Sequence, residues 1–316
     1  MADNNLELGP GAEFDTVRDM LSRWGALAHG VGDDAALLDV PAGSRLVVST
    51  DTSVENVHFK RAWLSPEEIG YRSVAAALRD LAAMGATPLG VVIALTLTAE
   101  WRARVVQLAD GFAAAARELA SPIVGGDLSA GSELSIGVTV LGSVARPLTR
   151  AGARAGDTLF VTGRLGGPLM AQRAFEAGKE PSPAHRERFA HPVPRIGEAR
   201  WLSLHGATAA IDCSDGVAAD TSHLAAASGV RIMLELDRLP TIDGATVEDA
   251  ARSGEEYELI VTAPATLDTS SFEREFGIPL STIGRVEPAG DEGAGVTAME
   301  GGRRVPLPRG HSHFSG

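Results

Sequence analysis

The chain has 316 residues, 44% of them hydrophobic, and a formal net charge of −13 at pH 7. That length allows two domains with separate cores, and the negative charge argues against nucleic acid or an anionic membrane surface as a partner. The single cysteine, Cys213, excludes an intrachain disulfide and a cysteine-rich metal site. The N-terminus has no signal-peptide pattern and no apolar run is long enough for a bilayer, so we expect a cytoplasmic protein without a membrane partner.

Strand and helix patterns alternate through the first half of the chain. The clearest helix starts at Pro66, where Ser65 and Glu68 complete a capping box, and stops near Gly85. The other elements expected before residue 146 are strands at 45–50, 89–97, 122–125 and 134–145, and an Ala-rich helix at about 99–120.

A polar segment with glycines at 146–157 is the best candidate boundary, and it predicts domains at 1–148 and 149–316. The later elements are expected as a strand at 158–163, a helix near 166–178, a proline-rich connection at 181–194, a helix near 195–204, a strand at 208–211, a helix near 216–228, strands at 230–236 and 257–263, and a small terminal hairpin. This order predicts an α/β fold of two domains, with helices covering mixed sheets.

Six aspartates lie at predicted strand ends, in loops beside Gly, Ser or Thr, or near the end of a helix. They are Asp34, Asp51, Asp80, Asp127, Asp212 and Asp215. Each alone has an ordinary explanation as a turn residue, and Asp212 or Asp215 could cap the next helix. If they converge, their charges need a cation between them. Without a cysteine cluster or an HxxxH pair, magnesium or calcium is favoured over zinc.

Magnesium favours a polyphosphate such as ATP as its companion. The chain nevertheless has no GxxxxGK[ST] motif, and neither of its lysines, Lys60 and Lys179, lies in a glycine-rich phosphate loop. Phosphoryl transfer here would therefore depend on acids that hold metal ions, with help from arginine and backbone N–H groups.

Seven motifs in order resemble those of the thiamine-monophosphate kinase family, which shares a superfamily with aminoimidazole-ribonucleotide synthetase and selenophosphate synthetase. Between about residues 30 and 262 they read GDDAALL, STDTSVENVHF, LRDLAAMGATP, VGGDLSAG, LTRAGARAGD, IDCSDGVAADTSHL and SGEEYELIVTAP, and GHSHF near the end adds a shorter match.

The resemblance implies a Mg²⁺-dependent, in-line transfer of phosphate from ATP to thiamine monophosphate, giving thiamine diphosphate and ADP. No general base is required, because the accepting phosphate oxygen is already deprotonated, so catalysis is positioning and neutralisation by metals. It also implies a homodimer formed by the sheet of the N-terminal domain, a C-terminal α/β domain, and ATP in the cleft between the two domains.

The same resemblance assigns roles to individual residues. The implied metal ligands are Asp34, Ser49, Thr50, Asp51, Asp80, Asp127, Asp212 and Asp215. The implied ATP contacts are Gly126, Asp127, Arg150 and Ser214, and the implied contacts to thiamine monophosphate are His58, Glu255 and His311. Structural explanations stay open for four of these: His58 as a satisfied, partly buried histidine, Arg150 as a loop arginine, Ser214 as a helix cap, and Glu255 as a solvated turn.

Three positions depart from the family pattern. Glu256 stands where an aspartate is usual, His311 where a Tyr or Trp is usual, and Arg79 where a small polar residue is usual. Whether Arg79 meets phosphate, pairs with an acid or faces water is open at this point. Two rival functions also stay open: another ATP-dependent enzyme of the same superfamily, and a non-catalytic protein that binds Mg²⁺ and nucleotide.

Overall fold

The computed structural model describes residue 8, residues 10–32 and residues 34–310. The chain divides into two compact units, one made of the residues up to Leu81 with Thr87–Ala145, the other of Ala82–Ala86 with the residues from Arg146 onward. Within the described ranges, no helix is long and apolar enough to cross a bilayer.

The first unit is built on a four-stranded mixed sheet. Its elements in chain order are α1 (Ala12–Trp24), β1 (Arg45–Val54), α2 (Pro66–Ala83), β2 (Thr87–Leu97), α3 (Ala99–Arg102), α4 (Val105–Glu118), β3 (Ile123–Ala130) and β4 (Ser135–Val144). The strand order is β1-β4-β2-β3, in which β2 and β3 are parallel and the other neighbours antiparallel.

Two strands of this unit are longer than the sequence predicts, and one predicted helix is divided. Asp51 lies inside β1, opposite Val138, and Asp127 lies inside β3, opposite Ala94, because pairing with the neighbouring strands continues past both aspartates. The expectation that these two aspartates follow their strands is therefore wrong. The helix expected at 99–120 is split into α3, which Thr98 caps through the backbone N–H of Trp101, and α4.

The two faces of this sheet differ in what covers them. One face is buried, with Val138, Ile93 and Ile136 at most 2% exposed. On the other face, which we call the open face, Leu46 and Val48 of β1 remain 50% and 55% exposed. Strand alternation places successive residues on opposite faces, so β1 presents Ser49 and Asp51 on the buried face and its even-numbered residues on the open face.

Helices α2 and α4 cross at a distance that only glycine permits. A Cβ atom added to Gly70 would lie 2.4 Å from the Leu108 carbonyl oxygen, and one added to Gly111 would lie 2.0 Å from that of Glu67. Leu81 of α2 contacts β4 at Gly142, where a Cβ would meet its methyl groups at 3.0 Å. These contacts fix α2 against the buried face of the sheet.

The second unit contains a seven-stranded mixed sheet. Its elements are β5 (Thr158–Thr162), α5 (Gly167–Glu176), α6 (Pro183–Ala190), α7 (Ile196–Leu204), β6 (Ala209–Asp212), α8 (Val217–Ser228), β7 (Val230–Glu235), α9 (Val247–Arg252), β8 (Leu259–Ala263), α10 (Thr269–Phe276), β9 (Leu280–Pro288), β10 (Gly295–Glu300) and β11 (Arg303–Val305). The strand order is β11-β10-β7-β9-β5-β8-β6, with only the β10–β7 pair parallel among these strands.

Alternation along β5 sends side chains into two cores, one on each face of this sheet. Leu159 and Val161 belong to the core that includes Leu224 of α8, whereas Phe160 belongs to the core that includes Phe272 of α10. The mixed α/β fold with helix-covered sheets is confirmed, and so is the terminal hairpin, formed by β10 and β11.

The second unit contains three elements that the sequence did not predict, α9, α10 and β9, and it differs from the prediction in two further details. The proline-rich connection expected at 181–194 contains α6, because Ser182 caps the helix through the backbone N–H of His185 and Pro183 occupies its first position. Strand β8 begins at Leu259 instead of Tyr257, because Glu255 and Tyr257 have φ angles of 56° and 55°. Those angles are incompatible with an extended strand.

Candidate functional site

Three oxygen-bearing side chains meet where β1 passes α2. Ser49 Oγ donates to Asp80 Oδ2 at 2.5 Å. Asp51 Oδ2 accepts from Arg79 Nη1 at 2.6 Å, and Asp80 Oδ1 lies 3.8 Å from Arg79 Nε. Arg79 therefore pairs with acids, which answers the question left open by the sequence.

The capping box at the start of α2 and the buried side of this helix determine which of its residues face β1. Ser65 N donates to the Glu68 carboxylate at 2.8 Å and Glu68 N donates to Ser65 Oγ at 3.2 Å, so the predicted capping box is confirmed. Leu78 and Leu81 are fully buried. Asp80, between them in sequence, consequently lies at the border of the packed side of the helix, half-buried and directed toward β1.

Thr50 and Asp127 lie on the other face of the same sheet. Thr50 Oγ1 accepts from Thr139 Oγ1 at 3.2 Å, and Asp127 is exposed, in register with exposed Ala94. Asp51 and Asp127 also belong to the two outermost strands, β1 and β3. Three strand spacings of about 4.8 Å, or roughly 14 Å, separate those strands. One chain therefore does not place Asp51 and Asp127 on a common ion.

His58 lies in the loop after β1. Hydrogen bonds to the buried carboxylate of Glu55 hold this loop in place. Glu55 is 7% exposed and accepts from Trp101 Nε1 at 2.8 Å and from Arg61 Nε at 3.1 Å. Inside the loop, the Val54 backbone N–H donates to His58 Nδ1 at 3.1 Å. In the neutral imidazole the proton is consequently on Nε2, the nitrogen with which His58 can donate to an anion.

In the second unit, Asp212 ends β6 and leads into a loop at 213–216 that precedes α8. The helix-cap explanation for Asp212, Ser214 and Asp215 is wrong, because Gly216 is the N-cap of α8 and no side chain caps the helix there. Instead, Asp220 Oδ2 accepts from the backbone N–H groups of Ser214, Asp215 and Gly216 at 3.0–3.1 Å.

Burial raises the pKa of Asp220 to about 7, with help from the charges of Asp212 and Asp215 and against the hydrogen bonds from the loop. Cys213, in the same loop, is fully buried. The loop that carries Ser214 and Asp215 is thus held by a carboxylate that sequence reasoning did not select.

Glu255 lies beside this loop. Its backbone N–H donates to the Ser214 carbonyl oxygen at 2.8 Å, and Tyr257 N donates to Cys213 O at 3.0 Å. A Cβ atom on Gly254 would lie 2.7 Å from Ser214 O, so the two segments approach as closely as glycine allows. The structure therefore places Glu255, a candidate contact to thiamine monophosphate, next to Ser214, a candidate contact to ATP.

Beyond Glu255, two buried glutamates anchor the segment to arginines. Glu258 accepts from Arg195 Nη2 at 2.6 Å and Nε at 2.7 Å, and from Thr162 Oγ1 at 2.6 Å. Arg188 Nη2 lies 2.9 Å from Glu258 Oε1 and donates to Glu256 Oε2 at 3.2 Å.

These surroundings shift the pKa values of the two glutamates in opposite directions. Burial would raise the pKa of Glu258, but Arg195, Arg188 and the Thr162 hydroxyl hold it below its usual range. In Glu256, burial raises the pKa and outweighs the opposite effect of Arg188, Ser253 and Gly166. Glu256, the residue that departs from the family pattern, is thus part of the internal scaffold, with its carboxylate bonded to Gly166 N at 2.5 Å.

The remaining candidates lie in loops or in strand contacts. Asp34 and Arg150 are exposed, and the Arg150 carbonyl accepts from Ser228 Oγ at 2.6 Å. At Gly126 a Cβ would lie 2.2 Å from Ile93 O, so a side chain would disrupt the β2–β3 pairing. His311 lies outside the described residues, but Gly310 before it contacts the 213–216 loop, since a Cβ there would lie 2.3 Å from Asp215 O.

Within the described part of each unit, the candidate aspartates do not form a three-ligand metal cluster. In residues 8, 10–32 and 34–310, no three His, Cys, Asp or Glu side chains are grouped closely enough to hold a metal ion. Mg²⁺ usually takes only one or two protein carboxylates and fills its octahedron with water and substrate phosphate oxygens. The hard oxygen donors of Ser49, Asp51 and Asp80, and those of Asp212 and Asp215, fit that pattern.

Sequence reasoning missed the supporting residues Glu55, Asp220, Arg188 and Arg195. For Asp220 a signal exists, because an acidic residue within the apolar stretch VAADTSHLAAA implies a buried partner for its carboxylate. Glu55 offers no comparable signal, since its partner Trp101 is 46 residues away in sequence.

Comparisons with known proteins place both units in one class. The family model described as AIR synthase related protein, N-terminal domain, matches residues 32–144, and the corresponding C-terminal domain matches residues 154–297. Together the two models cover most of the chain.

Individual relatives narrow this class. The thiamine-monophosphate kinase of Salmonella typhimurium is 33% identical over 328 residues, covering 96% of each chain. The crystal structure of thiamine-monophosphate kinase from Stenotrophomonas maltophilia superposes with a TM-score of 0.80 at 32% identity, covering 96% of this chain and 100% of the other. The chain belongs to the thiamine-monophosphate kinase family.

A further solved structure is that of AaThiL complexed with AMPPCP and TMP. It superposes with a TM-score of 0.76 at 29% identity and covers 95% of this chain and 96% of the other.

Proposed function

We propose that this protein transfers a phosphoryl group from ATP to thiamine monophosphate, giving ADP and thiamine diphosphate. Membership of the thiamine-monophosphate kinase family over nearly the whole chain supports this reaction. One observation links this reaction to particular residues. The backbone N–H of Glu255 donates a hydrogen bond to the carbonyl oxygen of Ser214. That contact brings a residue assigned to the phosphate acceptor beside one assigned to the phosphate donor. We place the reaction in the cytoplasm, where ATP is available.

We assign two groups of oxygen donors to magnesium. Ser49, Asp51 and Asp80 form the first group, and Asp212 and Asp215 form the second. We also assign Asp34, Thr50 and Asp127 to magnesium. Of these, Thr50 and Asp127 lie on the face of the sheet opposite Ser49 and Asp51. Bound magnesium would neutralise the phosphate oxygens as charge develops on them.

The protein's own task is positioning. Gly126, Asp127, Arg150 and Ser214 would contact ATP, and a guanidinium suits this because its planar fork matches phosphate oxygens. His58 would donate from Nε2 to the phosphate of thiamine monophosphate, with its other nitrogen already held by Val54 N. Glu255 would contact the same substrate, and we extend this role to His311. An in-line transfer needs no general base here, since the attacking oxygen already carries the charge.

We further propose that the protein is a homodimer that buries the β1 part of the first unit's open face, around Leu46 and Val48. The exposed side chains of Leu46 and Val48 support this, because neighbouring apolar side chains exposed on a sheet are typical of an interaction surface. The separation of Asp51 and Asp127 on the two outermost strands is compatible with metal sites that a second copy completes.

The test is an assay of ADP release from ATP and Mg²⁺, with and without thiamine monophosphate, with the products separated by chromatography. Thiamine, which lacks the acceptor phosphate, is the matched control substrate. We expect ADP and thiamine diphosphate in equal amounts, only with thiamine monophosphate. Folded protein that binds ATP but releases no ADP would support the non-catalytic alternative. ADP release with another phosphate acceptor would support a different enzyme of the superfamily.

A further inference from the structure

Arg79 is held between the two carboxylates of the first oxygen group. Its Nη1 donates to Asp51 Oδ2 at 2.6 Å, and its Nε lies 3.8 Å from Asp80 Oδ1. The same Nη1 donates to the Ala76 carbonyl at 3.0 Å, one turn earlier in α2. All three side chains are half-buried, between 18% and 28% exposed. The guanidinium is thus fixed by both acids and by its own helix.

The other oxygens of these carboxylates are also engaged. Asp51 Oδ1 accepts from Thr52 N at 2.7 Å, and Asp80 Oδ2 accepts from Ser49 Oγ at 2.5 Å. Two negative charges therefore face one permanent positive charge, because an arginine side chain does not lose its proton in proteins. Arg79 thus neutralises part of the negative charge of this pair of acids.

A divalent cation needs the oxygens that Arg79 contacts. Mg²⁺ binds carboxylate oxygen at about 2.0–2.1 Å, which would bring it within a few ångströms of the guanidinium. Like charges at such distances repel strongly where water is partly excluded. A cation can enter between Asp51 and Asp80 only by displacing Arg79 or at a cost in affinity.

We propose that Arg79 is a built-in counterion that competes with a divalent cation for Asp51 and Asp80. Without nucleotide, this pair of acids holds a divalent cation weakly. The ion binds there together with ATP, whose phosphates give the displaced guanidinium another anionic partner. The inference deepens the proposed function and rests on it, because the metal role of Asp51 and Asp80 is part of that proposal.

The test is a titration of the nucleotide-free protein with Mn²⁺, in which electron paramagnetic resonance measures the free ion. Mn²⁺ accepts the same carboxylate and water oxygens as Mg²⁺. A nearby charge changes the ionisation of a carboxylate by one to three logarithmic units, so we expect Arg79→Gln and Arg79→Ser to bind Mn²⁺ about tenfold or more tightly than wild type. Unchanged affinity in both folded variants would overturn the proposal.

Three further variants make the result specific. Arg23 forms a comparable pair with Asp110, at 2.6 and 2.8 Å, so Arg23→Gln should leave Mn²⁺ affinity unchanged. The double variant Arg79→Gln/Asp51→Asn should lose the gained affinity, and retention of the gain would place the ion elsewhere and overturn the proposal. Arg79→Lys keeps the charge and should bind Mn²⁺ like wild type; binding as tight as in Arg79→Gln would contradict competition by charge.

Thermal unfolding covers the case in which a neutral variant is unstable. Without Arg79, Asp51 and Asp80 repel each other, so the melting temperature of Arg79→Gln should fall without metal and recover with Mn²⁺. Wild type should change little over the same Mn²⁺ range. The proposal would be overturned if Mn²⁺ did not restore the stability of Arg79→Gln and the other two variants showed no gain in affinity. That means that both Arg79→Lys and Arg79→Ser would bind Mn²⁺ no more tightly than wild type.

A last comparison separates this inference from the proposed function. Mn²⁺ binding is measured for wild type and Asp51→Asn with the ATP analogue AMPPCP present. If Asp51→Asn loses bound Mn²⁺ there while Arg79→Gln gains none without nucleotide, the metal role stands and the competition is wrong. If neither substitution alters Mn²⁺ binding under any condition, the metal role of this group fails, and the inference fails with it.

Discussion

Asp127 is exposed on the open face of the first unit's sheet, where its carboxylate can be changed with little effect on packing. We expect Asp127→Asn to reduce kcat about 100-fold or more, as the loss of one electrostatic contact to a reacting group does in other enzymes. The melting temperature should change little, because surface substitutions usually alter the free energy of unfolding by no more than about 0.5 kcal/mol. Steady-state kinetics and thermal unfolding check both, and near wild-type turnover would remove Asp127 from the metal ligands.

In the proposed reaction, His58 contacts the accepting substrate and not ATP. We expect His58→Ala to raise the KM for thiamine monophosphate by roughly 10-fold to 100-fold, the equivalent of a lost hydrogen bond to a charged group. The KM for ATP should change little. Val57→Ala, one residue away and 64% exposed, is the matched control. A rise confined to the KM for ATP would show that His58 has been assigned to the wrong substrate.

Motifs in the sequence identified residues with suitable chemistry, but they did not show which face of a sheet each residue occupies. Ser49, Thr50 and Asp51 are consecutive, and all three are oxygen donors. The pairing of β1 with β4 turns Ser49 and Asp51 toward α2 and Thr50 away from it. That separation depends on which face α2 covers, which is decided by contacts between distant parts of the chain.

At the scale of elements, the Arg195–Glu258 pair connects α7 to the segment that carries Glu255. We expect Glu258→Gln to lower the free energy of unfolding at pH 7 by about 3–5 kcal/mol, because it removes the buried negative charge that faces both Arg195 and Arg188. Chemical denaturation at pH 7 measures this. Glu248→Gln, which disrupts an exposed pair with Arg252, should cost much less.

The same substitution should alter the response to acid. The pKa of Glu258 is lower in the folded chain than its ordinary value of 4.5. Its contribution to stability is therefore complete above that value and is lost as pH falls through the lower, folded value. We expect the difference in stability between wild type and Glu258→Gln to shrink as pH is lowered below 4.5. A difference that stays constant down to acid unfolding would contradict an ionised Glu258.

Local signals predicted most elements but not α1, α6, α9, α10 and β9. Three of these, α6, α9 and α10, begin at side-chain caps that sequence reasoning overlooked. Helix α2 was predictable from its capping box and apolar periodicity. The start of β8 was not, because the positive φ angles at Glu255 and Tyr257 arise from the close approach to the loop at 213–216. Nothing in the sequence of that segment requires them, since neither residue is a glycine.

At the scale of the whole molecule, the proposed dimer makes a direct claim about mass in solution. We expect wild type to elute as a dimer, and Leu46→Glu/Val48→Glu to elute as a monomer, because two charges would be buried without partners in the interface. Size-exclusion chromatography with light scattering measures this. Leu204→Glu is the control, since Leu204 lies in the second unit and is 83% exposed. A monomeric wild type would contradict the dimer.

The family and the reaction class could be predicted at this scale because seven motifs keep their order along the chain. The separation of Asp51 and Asp127 could not be predicted. The strand order β1-β4-β2-β3 places two strands between Asp51 and Asp127. Strand order is set by tertiary pairing, and no pattern within a single strand determines it.

The buried thiol of Cys213 supplies the chain with its own chemical reporter. It is the only cysteine, it is fully buried, and it is flanked by Asp212 and Ser214. A maleimide reagent can modify it only when the loop at 213–216 opens, so the labelling rate measures local opening there. A ligand that closes this loop would slow labelling, which allows binding to be followed without an introduced probe or a coupled assay.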